Sequence, residues 1–392
     1  MREHHDVVIV GGAAVGSAAA YHLTASADFD GSVLVLEQDP SYQRSATALS
    51  AASIRHQFST PGNIRMSLYG TQFLRAAREL LAIDGEAPDI GFVEGGYLFL
   101  ATHTGTRILE GNHRVQRELG ADVALLSSAQ LEERFPWLAA GDLAAGSLGL
   151  SGEGWLDAYA LLMATRRKAI AQGAAYRAGA VAALERDGRR IGAVRLADGS
   201  RIACGTVINA AGTGAARLAR SAGIALPVEA RKRCVFYFTS PGRLPGCPLV
   251  IDPCGAYFRP EGEGFIGGIA PPESEDPECT DFEVRHDLFD EVLWPALAAR
   301  VPQFEAARVR RAWAGHYDVN VLDHNVILGP HPGIDNLLFA NGFSGHGLQQ
   351  SPAVGRALAE LVAHGAYRTL DLSEFGWRRV LEGRPLLELN VV

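Results

Sequence analysis

The stretch DVVIVGGAAVG, residues 6–16, decides the fold of this chain. Its uninterrupted apolar run, residues 7–10, has the length and composition of a strand that is buried on both faces. The glycines that follow, Gly11, Gly12 and Gly16, allow a tight turn and a close approach of the backbone to a ligand. We therefore predict a buried strand that ends in a tight turn, at which the backbone can approach a ligand closely.

The segments after this turn complete a unit typical of dinucleotide binding. A helix rich in small residues follows at 17–23, and a second apolar strand at 32–36 ends in Glu37, about 20 residues beyond the last glycine. An acid at that distance binds ribose hydroxyls, while the free N–H groups of the helix N-terminus bind a pyrophosphate. The middle glycine of G-x-G-x-x-G is replaced by Ala13. Glycine also serves tight turns that bind nothing, so the prediction depends on Glu37 as well.

The bulk properties describe a soluble enzyme of two domains. The chain has 392 residues, of which 47% are apolar and 20% charged, and its formal net charge is −8. That charge disfavours nucleic acid or an anionic membrane surface as the main partner. Its five cysteines are scattered, without a C-x-x-C pair, as is typical of reduced thiols. No apolar run reaches membrane-spanning length, so we expect a cytoplasmic protein without a membrane span.

Two further apolar strands end in turns of small residues, at 209–212 and at 342–348. The second turn precedes a helix predicted at 351–364, with Ser351 as its cap and Pro352 at its first position. The small and hydroxylated stretch 41–53 directly follows Glu37, and it suits either a segment lying along an extended cofactor or a mobile surface loop. Three such turns indicate a cofactor longer than NAD, which favours FAD.

Sheet-rich segments separate these turns. Alternating apolar residues predict strands at 92–101, 227–268 and 309–318, whereas the glycine-rich stretch 141–154 is predicted as a turn that returns the chain to the first domain. The fold class predicted is α/β, or α+β with two domains: a Rossmann-like FAD-binding domain and a substrate domain built on an antiparallel β-sheet. The predicted cofactor domain comprises residues 1–91, 151–226 and 320–392, and the substrate domain 92–150 and 227–319.

Four segments together resemble the D-amino-acid oxidase family of FAD-dependent oxidoreductases, over nearly the whole chain. They are residues 6–16 with Glu37, VINAAG (207–212), GHYDVNVLDHNVILG (315–329) and GFSGHGL (342–348). The resemblance is to the branch that contains sarcosine oxidase, glycine oxidase and dimethylglycine dehydrogenase. The segments SIRHQFS (53–59) and PVEARKRCV (227–235) also resemble mitochondrial FAD-dependent proteins linked to respiratory complex I assembly.

The resemblance implies a set of cofactor contacts. The first turn would face the pyrophosphate, Glu37 the adenosine ribose and Val181 the adenine, while the N-terminus of the helix after the last turn would face the flavin C2 carbonyl. The implied contacts are Gly11, Gly12, Ala13, Ala14, Val15, Gly16, Glu37, Gln38, Arg44, Ser45, Ser50, Ala51, Ala52, Ser53, Val181, Ala210, Ala211, Gly212, Gly315, Gly345, His346, Gly347, Leu348 and Gln349.

Departures from the family pattern are also informative. The cysteine that holds flavin covalently in sarcosine oxidases corresponds to Gly315, and the histidine of the dimethylglycine dehydrogenase branch to about Ser50, so we predict non-covalent FAD. The strand that carries an oxygen-assisting lysine in sarcosine oxidase reads GFIGG here (264–268), which leaves O2 or another acceptor open. The lysine that shares the substrate carboxylate corresponds to Gln349, while the matching arginine is kept as Arg55.

Six residues are candidates for binding or converting the substrate. Arg55 offers a bidentate guanidinium to a carboxylate, although a structural ion pair is the alternative. His56 would hold or tune the substrate unless it is a buried structural histidine. Tyr257 and Tyr317 would bind a carboxylate unless they only pack in the core. The other two candidates are His316 and Gln349, whereas Lys232 and Arg233 are more typical of surface charge.

We predict oxidation of the C–N bond of a small amino acid or N-substituted amino acid. The hydride would go to flavin N5, and the resulting imine would be hydrolysed by water. The alternatives are a 2-hydroxy acid as substrate, or a flavin-binding assembly protein without turnover. No metal is predicted, because the spacing of His316, Asp318, Asp323 and His324 matches no metal motif. The segment 342–346 resembles the nucleophile elbow of hydrolases only loosely.

Overall fold

The computed structural model describes residues 3–389, so the outermost residues of the predicted cofactor domain, 1–2 and 390–392, lie outside it. The strands are β1 (His4–Val10), β2 (Val33–Glu37), β3 (Ser53–Ile54), β4 (Tyr97–Ala101), β5 (Val123–Ser127), β6 (Ala145–Gly149), β7 (Gly154–Trp155), β8 (Ala175–Ala178), β9 (Val181–Asp187), β10 (Arg190–Leu196), β11 (Arg201–Asn209), β12 (Val228–Thr239), β13 (Leu249–Ile251), β14 (Tyr257–Glu261), β15 (Gly264–Gly268), β16 (Arg308–Asn320), β17 (Ile327–Pro330) and β18 (Leu337–Asn341). The helices are α1 (Ala14–Ala25), α2 (Pro61–Leu80), α3 (Thr106–Glu118), α4 (Ser128–Arg134), α5 (Ala158–Ala171), α6 (Ala215–Ser221), α7 (His286–Leu288), α8 (Trp294–Arg300), α9 (Gly347–His364) and α10 (Trp377–Leu381).

The first sheet has the parallel centre that the opening sequence predicts. Its order is β17-β18-β11-β1-β2-β8, in which the strands from β18 to β8 are parallel and β17 is antiparallel. The antiparallel pair β9 and β10 extends from β11. The carboxyl ends of β1, β11 and β18 therefore lie side by side, with each small-residue turn at the same edge of the sheet. The predicted Rossmann-like fold class is confirmed.

The second sheet has the order β16-β12-β15-β14-β13-β4-β6-β5. Its neighbours are antiparallel except for β13 and β4, which run parallel. Its strands come from residues 97–149 and 228–320 only. The predicted antiparallel sheet is thus present, while the domain boundaries themselves stay a prediction.

Two local predictions are wrong. The stretch 141–154 contains the buried strand β6, and its glycines serve packing, since a Cβ on Gly146 would lie 2.9 Å from the Leu131 side chain. The last long helix begins at Gly347 rather than after Ser351. Pro352 is tolerated inside it because the Ser351 hydroxyl donates to the Leu348 carbonyl, the acceptor that a proline cannot reach with an N–H.

Small residues bring α1 and α9 together. A Cβ on Gly355 of α9 would lie 2.5 Å from the Ala18 backbone of α1, so only glycine permits this approach. Both helices start at the carboxyl edge of the first sheet, which aims their N-termini at one region. Within residues 3–389, every helix is too short or too polar to cross a membrane.

Candidate cofactor and substrate site

Three adjoining cavities run along the carboxyl edge of the first sheet. The turn cavity, of about 1290 Å³ with its open side included, lies between the turns after β1 and β11. The junction cavity shares walls with it at Ala13, Ala46, Ala210 and Gly212. The tyrosine cavity, of about 870 Å³ and named for Tyr97, Tyr257 and Tyr317, shares walls with the junction cavity at Ser50, Tyr317, Gly345 and Leu348. The three cavities therefore form one elongated trough.

The first turn is shaped by two glycines. Gly11 has a φ of +98°, and a Cβ on it would lie 2.3 Å from the Ala210 carbonyl oxygen. A Cβ on Gly16 would lie 1.8 Å from the Gly11 carbonyl oxygen. These contacts place the start of α1 directly against the ends of β1 and β11, as the glycine pattern predicts.

Glu37 and Tyr42 form the polar wall of the turn cavity. The Glu37 carboxylate accepts hydrogen bonds from the Gly12 and Asp39 N–H groups, each at 2.8 Å. The buried Tyr42 hydroxyl has no hydrogen-bond partner among residues 3–389, and burial raises the pKa of Tyr42 to about 12, so it remains a donor. A buried hydroxyl without a partner, next to a carboxylate, fits the ribose end of a dinucleotide.

Most residues predicted to contact the cofactor do line the trough; Gly12, Gly16 and Gly315 do not. Gly12 and Gly16 shape the turn from behind, whereas a Cβ on Gly315 would point at Leu49, 2.9 Å from its Cβ. The structure adds wall residues beyond the predicted contacts: Asp39, Tyr42, Ala46, Thr213, Arg217 and Thr280. Tyr42 and Ala46 belong to the stretch 41–53 that the sequence offers as a cofactor segment, whereas Thr280 comes from a distant segment that gives no local signal.

Two helix N-termini face the junction cavity. Ala14 and Val15 of α1, and Gly347 and Leu348 of α9, line it, and neither helix is capped by the side chain of the residue before it. The Ala14 N–H donates to the Thr47 hydroxyl at 3.3 Å, while the positive dipole ends of both helices suit anionic or carbonyl oxygens. The turn before α9 leaves room for an aromatic wall, because a Cβ on Gly345 would lie 2.5 Å from the Tyr317 ring.

Arg55 is the fixed cation of the tyrosine cavity. Its backbone N–H donates to Gln349 Oε1 at 2.9 Å, and its Nη2 lies 3.0 Å from His346 Nε2. A guanidinium only donates, so His346 accepts through Nε2 and is neutral. Burial and the charge of Arg55 accordingly hold the pKa of His346 well below its usual value. The predicted candidates Arg55 and Gln349 are thus brought together, and the predicted cofactor contact His346 joins them.

Three neutral phenols line the same cavity as this cation. Burial raises the pKa of Tyr97, Tyr257 and Tyr317, so each offers a hydroxyl donor at neutral pH. Tyr257 and Tyr317 are candidates from the sequence, whereas Tyr97, the first residue of β4, is an addition. Arg233, which the sequence favours as surface charge, also lines this cavity, with its guanidinium 5.2 Å from the Tyr317 ring centre.

Two predicted histidines lie elsewhere. His56 is buried and does not line the trough; its Nε2 lies 2.7 Å from the Thr71 hydroxyl. His316 lines the turn cavity, against the Phe282 ring, rather than the tyrosine cavity. Successive strand residues point to opposite faces, which is why His316 and Tyr317 reach different cavities. Across residues 3–389, no group of three or more histidine, cysteine or carboxylate side chains is suited to hold a metal ion.

Glu153 supports the Arg55 segment from behind and was not predicted. It is fully buried, and its carboxylate accepts hydrogen bonds from the His56 backbone N–H and, at 2.8 Å, from the Gln57 amide. Burial is the largest influence on its pKa and raises it to about 7. A lone glutamate in a glycine-rich stretch gives no sequence signal of burial.

Glu153→Gln is expected to remove a pH-dependent part of the stability. The folded-state pKa of about 7 exceeds the usual 4.5, so the stability linked to protonated Glu153 is complete below about pH 4.5 and is lost as the pH rises through about 7. The free energy of unfolding of the parent, minus that of the variant, should therefore fall by about 2–3 kcal/mol between about pH 5 and pH 8. Urea unfolding at both pH values measures this, and a pH-independent difference would contradict it.

The comparisons with known proteins agree with this architecture. A model of the family "FAD dependent oxidoreductase" (DAO) matches residues 6–361. The Xenopus laevis protein named FAD-dependent oxidoreductase domain-containing protein 1 is 46% identical over 426 residues, covering 100% of this chain and 85% of that protein. The solved L-proline dehydrogenase of P. horikoshii has a TM-score of 0.87 at 26% identity, covering 98% of this chain and 100% of its own. The solved glycine oxidase of Geobacillus kaustophilus has a TM-score of 0.81 at 26% identity, covering 96% of this chain and 99% of its own.

These matches span nearly the whole chain and confirm the resemblance found in the four motif segments. The trough, its two glycine turns and the two helix N-termini that face it also fit the cofactor of that family. FAD is the cofactor, and the chain belongs to the DAO family of FAD-dependent oxidoreductases.

Proposed function

We propose that this enzyme oxidises the C–N bond of a small amino acid or an N-substituted amino acid to an imine, which water then hydrolyses. The observation that carries the proposal is the buried Arg55, whose guanidinium contacts His346 and whose backbone N–H donates to Gln349, in a cavity with three neutral tyrosines at one end of the trough. A guanidinium binds a carboxylate through two parallel hydrogen bonds, and low surrounding polarity strengthens them.

Different residues of the trough would bind the cofactor and the substrate. FAD, when bound, supplies the hydride acceptor. The turns around Gly11 and Ala210 would hold its pyrophosphate, and Glu37 and Tyr42 its ribose. Arg55 would anchor the substrate carboxylate, and the hydroxyls of the tyrosine cavity would orient it. His346 Nε2 is occupied by Arg55, so the substrate amine is best bound in its neutral form, with its own lone pair driving the oxidation.

We further propose that FAD is held without a covalent bond. Position 315 is a glycine that packs on Leu49, and Ser50 hydrogen-bonds the Thr47 carbonyl at 2.9 Å. Neither side chain is a nucleophile that flavoproteins of this branch use for attachment. Acid precipitation of the holoenzyme is expected to leave all flavin absorbance in the supernatant. Yellow colour that stays with the precipitated protein would contradict the proposal.

A different glycine supports a proposal for the electron acceptor. Gly268 of β15 lies beneath Tyr257, and a Cβ on it would be 2.8 Å from the Tyr257 hydroxyl. The space that a lysine would need on this strand is thus filled by a phenol. We propose that the reduced enzyme reacts slowly with O2 and passes its electrons to another acceptor. Readmitting air after anaerobic reduction measures this rate directly.

The proposed substrate class is tested by anaerobic reduction of the bound flavin. The holoenzyme is mixed with D- and L-amino acids, N-methyl amino acids and 2-hydroxy acids, and flavin absorbance is followed. Bleaching by an amine class is the expected result. Bleaching by 2-hydroxy acids alone would favour an alcohol substrate instead. Bleaching by dithionite but by none of the acids would favour a flavin-binding assembly protein.

A further inference from the structure

A second guanidinium faces the tyrosine cavity and is already occupied by a carboxylate of the chain itself. Arg233 of β12 donates through Nη1 and Nη2 to the two carboxylate oxygens of Asp276, each at 2.8 Å. The side chains are only 17% and 12% exposed. Asp276 belongs to the segment between β15 and α7, and the first residues of this segment, Ile269 and Ala270, line the same cavity.

Arg55 and Arg233 both act on Tyr317. The charges of both guanidinium groups favour the ionised form of this phenol, and all three side chains line the same cavity, with the Arg233 guanidinium 5.2 Å from the Tyr317 ring centre. The cavity therefore has two positions at which a carboxylate can be bound in bidentate geometry. The first position is at Arg55, which neighbouring side chains fix in place. The second is at Arg233 and is occupied by Asp276, which lies outside any helix or strand.

Resting on the proposed function, we propose that Arg233 determines specificity by binding a second anionic group of the substrate, in the position that Asp276 occupies in this structure. The substrate class would then be an amino acid that carries two carboxylates, either on its side chain or on its nitrogen substituent. The exchange replaces one bidentate carboxylate by another, so Arg233 remains paired throughout. The displaced Asp276 gains water, which limits the cost of its release.

The same strand provides a matched control. Arg231 lies two residues before Arg233, so both point to the same face of β12. Its side chain is also 17% exposed, and it is paired with Glu229. Arg231 does not line the tyrosine cavity. If the loss of any paired arginine from this strand disturbs the protein, Arg231→Gln and Arg233→Gln should both show it. A change in ligand binding within the tyrosine cavity should appear in Arg233→Gln alone.

Binding of glutarate and butyrate to the holoenzyme tests the proposal without turnover. Both are titrated while the absorbance of bound flavin is followed. The parent should bind glutarate severalfold more tightly than butyrate, because the pair between the second carboxylate and Arg233 forms while the displaced Asp276 regains its hydration. Arg233→Gln should abolish this preference and leave butyrate binding unchanged. Asp276→Asn should strengthen glutarate binding severalfold, since it removes the competing carboxylate, and Arg231→Gln should alter neither ligand.

Equal affinities for the two acids in the parent would overturn the proposal, and so would equal losses in the two arginine variants. Should Arg233→Gln fail to retain FAD, Asp276→Asn alone decides the matter through the sign of its effect on glutarate. The amino-acid panel separates the two levels of inference. Reduction by monocarboxylic amino acids in preference to dicarboxylic ones would reject the second anion site and keep the proposed function. Arg233-dependent glutarate binding without flavin reduction by any amine would keep the second anion site and reject the proposed function.

Discussion

Arg55→Ala should lower kcat/KM for the amino acid substrate by a factor of about 30 to 10³, equivalent to about 2–4 kcal/mol. Arg55 is buried; His346 orients its guanidinium, and Gln349 fixes its backbone N–H. Removing the guanidinium leaves the substrate carboxylate without a partner in a low-dielectric cavity, which weakens both binding and alignment. Anaerobic flavin reduction over a range of substrate concentrations separates these two effects.

Arg300→Ala is the matched control for Arg55. Arg300 is similarly buried, 7% against 5% exposed, but it pairs with Asp142 and Asp252 away from the trough. Its loss should reduce stability while leaving kcat/KM of the folded holoenzyme unchanged. An Arg55 variant with parent kinetics and full FAD content would remove this residue from the substrate site.

Gly16→Ala is expected to produce the second large effect, loss of FAD together with a lower stability. The added Cβ would lie 1.8 Å from the Gly11 carbonyl oxygen, a backbone atom that cannot move without opening the turn. Because this turn sets the start of α1, both the pyrophosphate site and the packing of the helix would be disturbed. We expect a loss of about 2–4 kcal/mol in the free energy of unfolding, measured with urea, and a low ratio of FAD to protein.

Gly214→Ala provides the comparison. Gly214 lines the same turn cavity, but a Cβ there would meet no atom within 4 Å, and its φ is negative. This variant should retain FAD and nearly all its stability. Full FAD content in the Gly16 variant would show that the close packing of the turn is not needed to hold the cofactor.

The parts of the fold that local patterns encode were predictable. The strand, glycine turn, helix and strand that end at Glu37 are present, because apolar runs and glycine positions specify them within a few residues. The start of α9 was misplaced because Pro352 usually marks a first turn, and only a hydroxyl bond within the folded helix shows how it is tolerated. The glycines of β6 read as a turn because the side chains that fill the space beside them come from other elements.

The substrate side of the site was only partly predictable. Arg55, Tyr257, Tyr317 and Gln349 were found through their segments, and the structure brings them to one cavity. Tyr97, Arg233 and Glu153 were missed as site residues, since their importance arises from segments that are distant in sequence and meet only after folding. Their individual roles stay predictions for the experiments above.

Single-turnover analysis tests whether the enzyme oxidises the C–N bond of its substrate. The holoenzyme is mixed anaerobically with its best amine substrate, and with the same compound deuterated at the carbon that is oxidised. We predict slower bleaching with deuterium, and one equivalent each of carbonyl product and released ammonia or amine per flavin reduced. Bleaching that leaves the C–N bond of the substrate uncleaved would contradict this proposal. So would the absence of bleaching by any amine.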